Sequence, residues 1–289
     1  MKFEQQLGHA PLGKSSEYPE KYDPSLLFPI ARQIGRDHLS IQPHPTWQGE
    51  DIWRAFEVSW LNAKGKPEIA ILTFTIPASS THIIESKSFK LYLNSFNQEK
   101  LEWTDLLARL EKDLSAAAGA AVSVVREPAN THLATSSEQA EQPLALHATS
   151  IDQLDVECSV YEPTASLLKA DSSRIVKETL ISELLKSNCP VTSQPDWGTV
   201  VISYEGPAID YAALLQYIVS FRGHNGFHEQ CVEQIYCDIL QQCKPHSLEV
   251  HARYTRRGGL DINPRRASPN FTPDSANADY SQRIRTPRQ

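Results

Sequence analysis

The chain contains an internal repeat, and that repeat limits the folds open to it more than any other feature. Tyr92-Leu93-Asn94-Ser95-Phe96 and Tyr217-Ile218-Val219-Ser220-Phe221 share a Y-x-x-S-F pattern at an offset of 217 − 92 = 125 residues. Upstream, Lys66-Pro67-Glu68 leads into Ile69-Ala70-Ile71-Leu72-Thr73-Phe74, and Gln194-Pro195-Asp196 leads into Thr199-Val200-Val201-Ile202-Ser203-Tyr204. Downstream, Leu106, Leu107, Leu110 and Leu114 correspond to Cys231, Val232, Ile235 and Ile239, apolar positions that share one helix face. Each copy then closes in a β-like run, Val122 to Val125 or Leu248 to Tyr254. Five landmarks in the same order predict two copies of one supersecondary module.

The repeat also settles a local ambiguity. Val176 to Leu185 is apolar enough for helix or strand, but its counterpart Ile52 to Trp60 is aromatic and β-branched with strand-like alternation. Both are expected as strands. Each module then reads strand, turn, strand, helix, helix, strand, with one further strand: an α+β unit with helices packed on one face of an antiparallel sheet.

Segments poor in large apolar groups separate these modules. Residues 1–45 are rich in Pro, Ser and charge and are expected to lie as an arm on the surface. Residues 46–126 form the first module. Residues 127–150 form a linker, since Glu127 to Gln142 has too little to bury to offset its ordering entropy. Residues 151–267 form the second module, and 268–289 an irregular tail. A length of 289 residues suits two modules of roughly 100 to 150 residues each.

Charge and cysteine usage narrow the function. Lys+Arg 28 against Asp+Glu 35 gives 28 − 35 = −7, which argues against a nucleic-acid or acidic-membrane binder and for a small-molecule partner. The five cysteines lack C-x-x-C spacing, so neither a disulfide framework nor a zinc knuckle is expected, and a reducing cytoplasm fits. Met1 to Gln6 has no apolar stretch of a leader, and no apolar run approaches the roughly 18 residues of a membrane span.

Three segments carry the candidate chemistry. In Ser187 to Gly198, Cys189 and Asp196 lie seven residues apart in a stretch that Pro190 and Pro195 keep from being helix. A cysteine in such a turn is expected to be open to reagents. Its thiolate is a strong nucleophile, and a nearby carboxyl can move the proton that addition requires; the plainer alternative is a surface turn whose cysteine packs as a small apolar group. His224-Asn225-Gly226-Phe227-His228-Glu229 opens the second module's long helix, expected to start near Asn225. Its histidines could hold zinc, form a capping turn, or leave His228-Glu229 as a ligand pair. Ile84 to Tyr92 alternates charge with an apolar stripe, Ile84, Phe89 and Tyr92, as a solvated helix face would. Its counterpart, Asp210 to Tyr217, lacks the lysines, so the fold does not require them, which tilts Glu85 and Lys87 toward function. Arg253-Tyr254-Thr255-Arg256-Arg257-Gly258-Gly259 offers arginine donors and a backbone that a phosphate can approach. No G-x-G-x-x-G or P-loop sequence accompanies it.

Together these segments resemble the NADPH-dependent 7-cyano-7-deazaguanine reductases, the nitrile reductases of queuosine biosynthesis, in their two-module form. Glu85-Ser86-Lys87-Ser88-Phe89-Lys90-Leu91-Tyr92 reads as that family's E-S-K-S-x-K-L-Y signature. The Cys-Pro to Gln-Pro-Asp loop, Phe227-His228-Glu229 and Thr255-Arg256-Arg257-Gly258-Gly259 follow in order, and the likeness spans most of residues 15–265. It implies a tunnelling fold, a homodimer, and NADPH as co-substrate with no metal. It also implies Cys189 as the nucleophile that forms a thioimide and Asp196 as the proton donor. Ile84, Glu85, Ser86, His228 and Glu229 would bind the 7-deazapurine, and Ser86, Lys87, Arg257 and Gly258 the NADPH phosphates. Because module one lacks the cysteine and module two lacks the lysines, the site is expected to draw on more than one module. The alternatives are a zinc-dependent pterin or GTP enzyme of the same fold, or a purine-binding module without chemistry.

Overall fold

A computed structural model describes residues 19, 21–127, 147–273, 286 and 289. The chain divides into two compact units: Met1–Ile34, Glu50–Ala140 and Arg256–Ile262 form unit 1, and Gly35–Gly49, Glu141–Thr255 and Asn263–Gln289 form unit 2. Most of residues 128–146 and 274–289, expected as linker and tail, lie outside the described residues.

In unit 1, β1 (Pro29–Ala31) falls within the segment expected as an arm, with Ile30 buried. β2 (Glu50–Leu61) and β3 (Pro67–Pro77) form an antiparallel hairpin. Along β3 the residues Ala70, Leu72, Phe74 and Ile76 are buried, the period of two that places one face against a core. β4 (His82–Ile84) pairs with β1 and leads into α1 (Ser86–Asn94). α2 (Trp103–Ala118) then buries Leu106, Leu110, Leu114 and Ala118, a stripe at helical spacing, and ends at Gly119 in the left-handed conformation. β5 (Ser123–Arg126) pairs with the outer edge of β3.

Unit 2 repeats the plan on longer strands. β6 (Thr149–Ser150), at the end of the expected linker, pairs in parallel with Leu180 and Ile181 of β7 (Ala170–Asn188). β7 forms a hairpin with β8 (Pro195–Ile209), which carries the sheet on to α3 (Tyr211–Ser220) and α4 (His228–Cys243). β9 (Ser247–Tyr254) pairs with β8, and β10 (Leu260–Ala267) with β9. Val200, Ile202 and Tyr204 of β8 pack with Leu248, Val250 and Ala252 of β9 and with Cys231, Val232, Ile235 and Ile239 of α4 in one core. Helices on one face of an antiparallel sheet, twice over, is the expected α+β architecture.

The Y-x-x-S-F motif is a helix-to-helix fastening. Tyr92 donates its hydroxyl to Asp113 at 2.8 Å, and Tyr217 donates to Asp238 at 2.7 Å. Ser95 and Ser220 each donate to the carbonyl three residues earlier, at 2.6 Å in both cases. Phe96 and Phe221 meet their tyrosines edge to face, at 5.3 Å and 5.4 Å. Each motif thereby ties the first helix of its module to the second.

Candidate active site

The Cys189 loop is the tip of the β7–β8 hairpin. Ser187 pairs with Asp196 and Asn188 with Pro195, and the tip closes through Cys189 N donating to Gln194 O at 2.9 Å and Ser193 N donating to Cys189 O at 3.0 Å. Asp196, expected in the turn, is thus the second residue of β8. The register sets the chemistry: Cys189 lies two residues beyond Ser187, so Cys189 and Asp196 are diagonal neighbours on one face of the hairpin. That face also carries Val200 and Ile202 and looks toward the helices, so Cys189 is buried, with 6% of its surface exposed, rather than open as a free turn would leave it. Asp196 is 5% exposed and Ser187 fully buried.

A second strap holds this tip to the start of α4. Asn188 N donates to His224 O at 2.8 Å, Gly226 N donates to Asn188 O at 3.1 Å, and Asn188 forms a parallel bridge with Asn225. Asn188 Nδ2 donates to the carbonyls of Arg222 and His224, both at 3.2 Å. This strap corrects the expected helix start at Asn225. With 224–226 extended against β7, the helix begins only at His228, and His224 and His228 do not share a helix face. Phe227 is the N-cap, and Gln230 Oε1 accepts from its backbone N–H at 3.2 Å.

His228 and Glu229 therefore occupy the first turn of α4. His228 Nε2 is 3.4 Å from Asp196 Oδ2, and its ring lies flat on Tyr254 of β9, with centroids 3.7 Å apart and planes 3° from parallel. Glu229 is 3% exposed. Beneath them, burial pushes the Cys231 thiol up to about 12 and raises the Tyr254 hydroxyl well above its usual range. Burial lowers His224. Asp196 and His228 thus meet in unit 2, with Cys189 diagonal to Asp196 at the hairpin tip and Glu229 next to His228 on α4. Among the described residues, no three His, Cys, Asp or Glu side chains are gathered to hold a metal ion.

Unit 1 holds a different group. Glu85 is not on a solvated helix face: it is fully buried as the N-cap of α1, and its carboxylate accepts from Lys87 N at 2.7 Å and Ser88 N at 2.8 Å. Burial raises its carboxyl above the ordinary range, while the two capping bonds oppose the rise. Ile84 is buried beside it, and Ser86 and Lys87 form the partly exposed first turn. A helix start is where an anionic group is most favourably placed. Gly258 and Gly259, with φ of 59° and 78°, fill the centre of a tight turn in which Arg257 and Leu260 exchange backbone hydrogen bonds of 2.8 Å and 3.1 Å. The turn requires the glycines for its shape. Above Gly258 there is open space, with no atom within 4 Å of where a side chain would start. That opening beside Arg257 leaves room for a phosphate, whereas the backbone N–H groups of Lys87 and Ser88 in the first turn of α1 already donate to Glu85.

Sequence reasoning missed the fastening aspartates and the Asn188 strap. Asp113 and Asp238 follow their tyrosines by the same 21 residues, so extending the repeat to polar positions finds them. Nothing in the sequence signals the strap.

The family described as "Nitrile reductase, 7-cyano-7-deazaguanine-reductase N-term" matches residues 18–125, and the "QueF-like protein" family matches residues 195–271. A Chromobacterium violaceum protein named NADPH-dependent 7-cyano-7-deazaguanine reductase is 53% identical over 283 residues, covering 97% of each chain. A Burkholderia multivorans protein of the same name is 55% identical over 271 residues, 93% of this chain and 97% of that one. Among solved structures, the archaeosine synthase QueF-Like in its apo form covers 36% of this chain and all of its own, at 18% identity and a TM-score of 0.30, too slight to bear on the site. With relatives this similar along nearly the whole of both chains, the chain belongs to the family of NADPH-dependent 7-cyano-7-deazaguanine reductases.

Proposed function

We propose that this chain reduces the nitrile of 7-cyano-7-deazaguanine to the aminomethyl group of 7-aminomethyl-7-deazaguanine, a step in queuosine biosynthesis. The observation that carries the reading is the hairpin register, which puts Cys189 and Asp196 on one buried face with His228 against the carboxyl.

The Cys189 thiol gives up its proton as its sulfur adds to the nitrile carbon, while Asp196 delivers its own proton to the nitrogen and is reprotonated by the one the thiol releases, giving a thioimide, R–C(=NH)–S–Cys189. NADPH, when bound, supplies one hydride to this carbon and a second molecule supplies another. Between them the C–S bond breaks, the sulfur leaves with its bonding pair and regains a proton, and the carbon becomes an imine. Two hydrides and two protons in all convert C≡N to CH2–NH2. Burial suits this sequence, since excluding water protects the thioimide and the imine from hydrolysis.

Glu229 offers carboxylate acceptors to the N1–H and amino donors of the guanine-like edge, and His228 binds the base from the side. Ile84, Glu85 and Ser86 are assigned to the same substrate, and Ser86, Lys87, Arg257 and Gly258 to the NADPH phosphates. We assign the enzyme to the cytoplasm as a homodimer, which light scattering of the full chain tests. Among the described residues no helix is long and apolar enough to cross a membrane.

The test follows NADPH oxidation with the nitrile and counts two equivalents per aminomethyl product. Without NADPH, the intact mass should rise by one nitrile molecule, and this gain should vanish in Cys189→Ala. An adduct that survives the substitution would overturn the assignment.

A further inference from the structure

The imidazole of His228 is held by more than its contact with Asp196. Tyr254 of β9 is directly paired with Gly198 of β8, and a Cβ at Gly198 would stand 3.2 Å from Cδ1 and Cε1 of the phenol ring. Such contacts are tighter than ordinary packing, so the glycine gives the ring room to settle against the strand. Tyr254 is fully buried, and His228 lies on it almost parallel at 3.7 Å. A stack this flat fixes the plane of the imidazole and leaves only the choice of which edge faces Asp196.

Hydrogen bonding makes that choice. Nε2 is 3.4 Å from Asp196 Oδ2, whereas Nδ1 is buried with no hydrogen-bond partner among the described residues. A buried N–H without an acceptor is destabilising, so in the neutral ring the proton belongs on Nε2, whose N–H can donate to the Oδ2 of the Asp196 carboxyl. Asp196 has no comparable freedom on its own side, since the ladder to Ser187 fixes its backbone.

We propose that Tyr254, seated by Gly198, is a positioning residue that holds His228 in its Nε2-protonated tautomer against Asp196 and so keeps the carboxyl aimed for proton transfer. This deepens, and rests on, the reading of Asp196 as proton donor. The ring stack carries the effect, and the phenol hydroxyl is dispensable.

The experiment uses the full chain labelled with 15N at histidine, read by the ring-nitrogen shifts of His228 without substrate, alongside turnover of 7-cyano-7-deazaguanine with NADPH. Wild type and Tyr254→Phe should both show the single Nε2–H tautomer, with turnover within about twofold of each other. Tyr254→Leu should mix the tautomers and lower kcat by roughly tenfold or more, the scale of a misplaced reacting group, with KM for the nitrile, whose base His228 also binds, rising by a smaller factor than kcat falls. Tyr254→Leu matching wild type in both readouts would overturn the proposal, as would a folded Tyr254→Phe that fails as badly as the leucine variant. Should Tyr254→Leu not fold, Gly198→Ala, which crowds the ring from below, must disturb the tautomer and slow turnover; no change in either would overturn it equally. The underlying reading fails separately: if Asp196→Asn turns over normally, Asp196 is not the donor, whatever the His228 tautomer shows.

Discussion

The two hairpins at the head of the two modules both open their second strand with a proline followed by an acid, and place that acid in opposite environments. In unit 1, Pro67-Glu68 opens β3, and Glu68 pairs with Lys66 at 3.1 Å on the surface, where that lysine lowers its carboxyl. In unit 2, Pro195-Asp196 opens β8, and the carboxyl is buried against His228. The two loops differ in how they are anchored. Asn62 to Lys66 is a tight turn closed on itself by Asn62 N donating to Lys66 O at 2.9 Å and Gly65 N donating to Asn62 O at 2.8 Å. The Cys189 loop is tied to the approach to α4 through Asn188. A proline followed by an acid is therefore a strand opening in both modules, and the two loops part in their anchorage and in the burial of their acids.

The largest test of this contrast is substitution of the thiol and of its positional counterpart. Cys189→Ala should lower turnover by roughly three orders of magnitude or more, as loss of a covalent nucleophile does. Asn62→Ala, at the same place just past the last paired residues of the unit 1 hairpin, Leu61 and Pro67, should leave it within about twofold; a large loss there, measured by NADPH oxidation, would mean that the two loops are not functionally distinct. Next come the two acids. Asp196→Asn should slow turnover by about a hundredfold, the scale of lost general-acid help, with a much smaller change in nitrile affinity, whereas Glu68→Gln should change neither. Equal losses in kcat and affinity for Asp196→Asn would assign the carboxyl to recognition instead.

The fastening tyrosines give a third, structural comparison. Asp113 accepts from Tyr22 at 2.6 Å as well as from Tyr92, and it is only partly buried, whereas Asp238 is 3% exposed. Tyr217→Phe should therefore destabilise by about 1.5–3 kcal/mol, the range for a hydrogen bond to a charged group, and Tyr92→Phe by less, as read from denaturant unfolding. The reverse order would show that the two fastenings are not equivalent in their modules.

The smallest effect is the pH dependence of the α1 cap. Burial raises the Glu85 carboxyl in the folded chain, so its stabilising share is full below the ordinary carboxylate value of 4.5 and is lost as pH rises through the higher folded value. Glu85→Gln does not titrate. Its Tm relative to wild type should rise from pH 4 toward pH 8, and a difference independent of pH would refute the linkage.

How much of this was legible in the sequence follows from which interactions are periodic. The repeat gave the order of strands and helices, because apolar stripes such as Leu106, Leu110 and Leu114 leave a pattern whatever they pack against. Cys189 and Asp196 were visible as chemistry, but not the burial of Cys189, which depends on hairpin register rather than on loop composition. Glu85 looked solvated because an acid beside Ser and Lys usually is; its role as a buried cap depends on the chain running from β4 directly into α1. The start of α4 was misplaced because Asn225 and Gly226 are claimed by a strand edge distant in sequence.

The depth of the Cys189 sulfur also has an analytical consequence. Cys158 is partly exposed, while Cys189, Cys231, Cys237 and Cys243 are buried. A bulky maleimide dye should therefore mark Cys158 first and report little about Cys189. A slender, rod-shaped electrophile is the better probe there, because the thinness of the attacking group, more than its intrinsic reactivity, sets what can reach this sulfur.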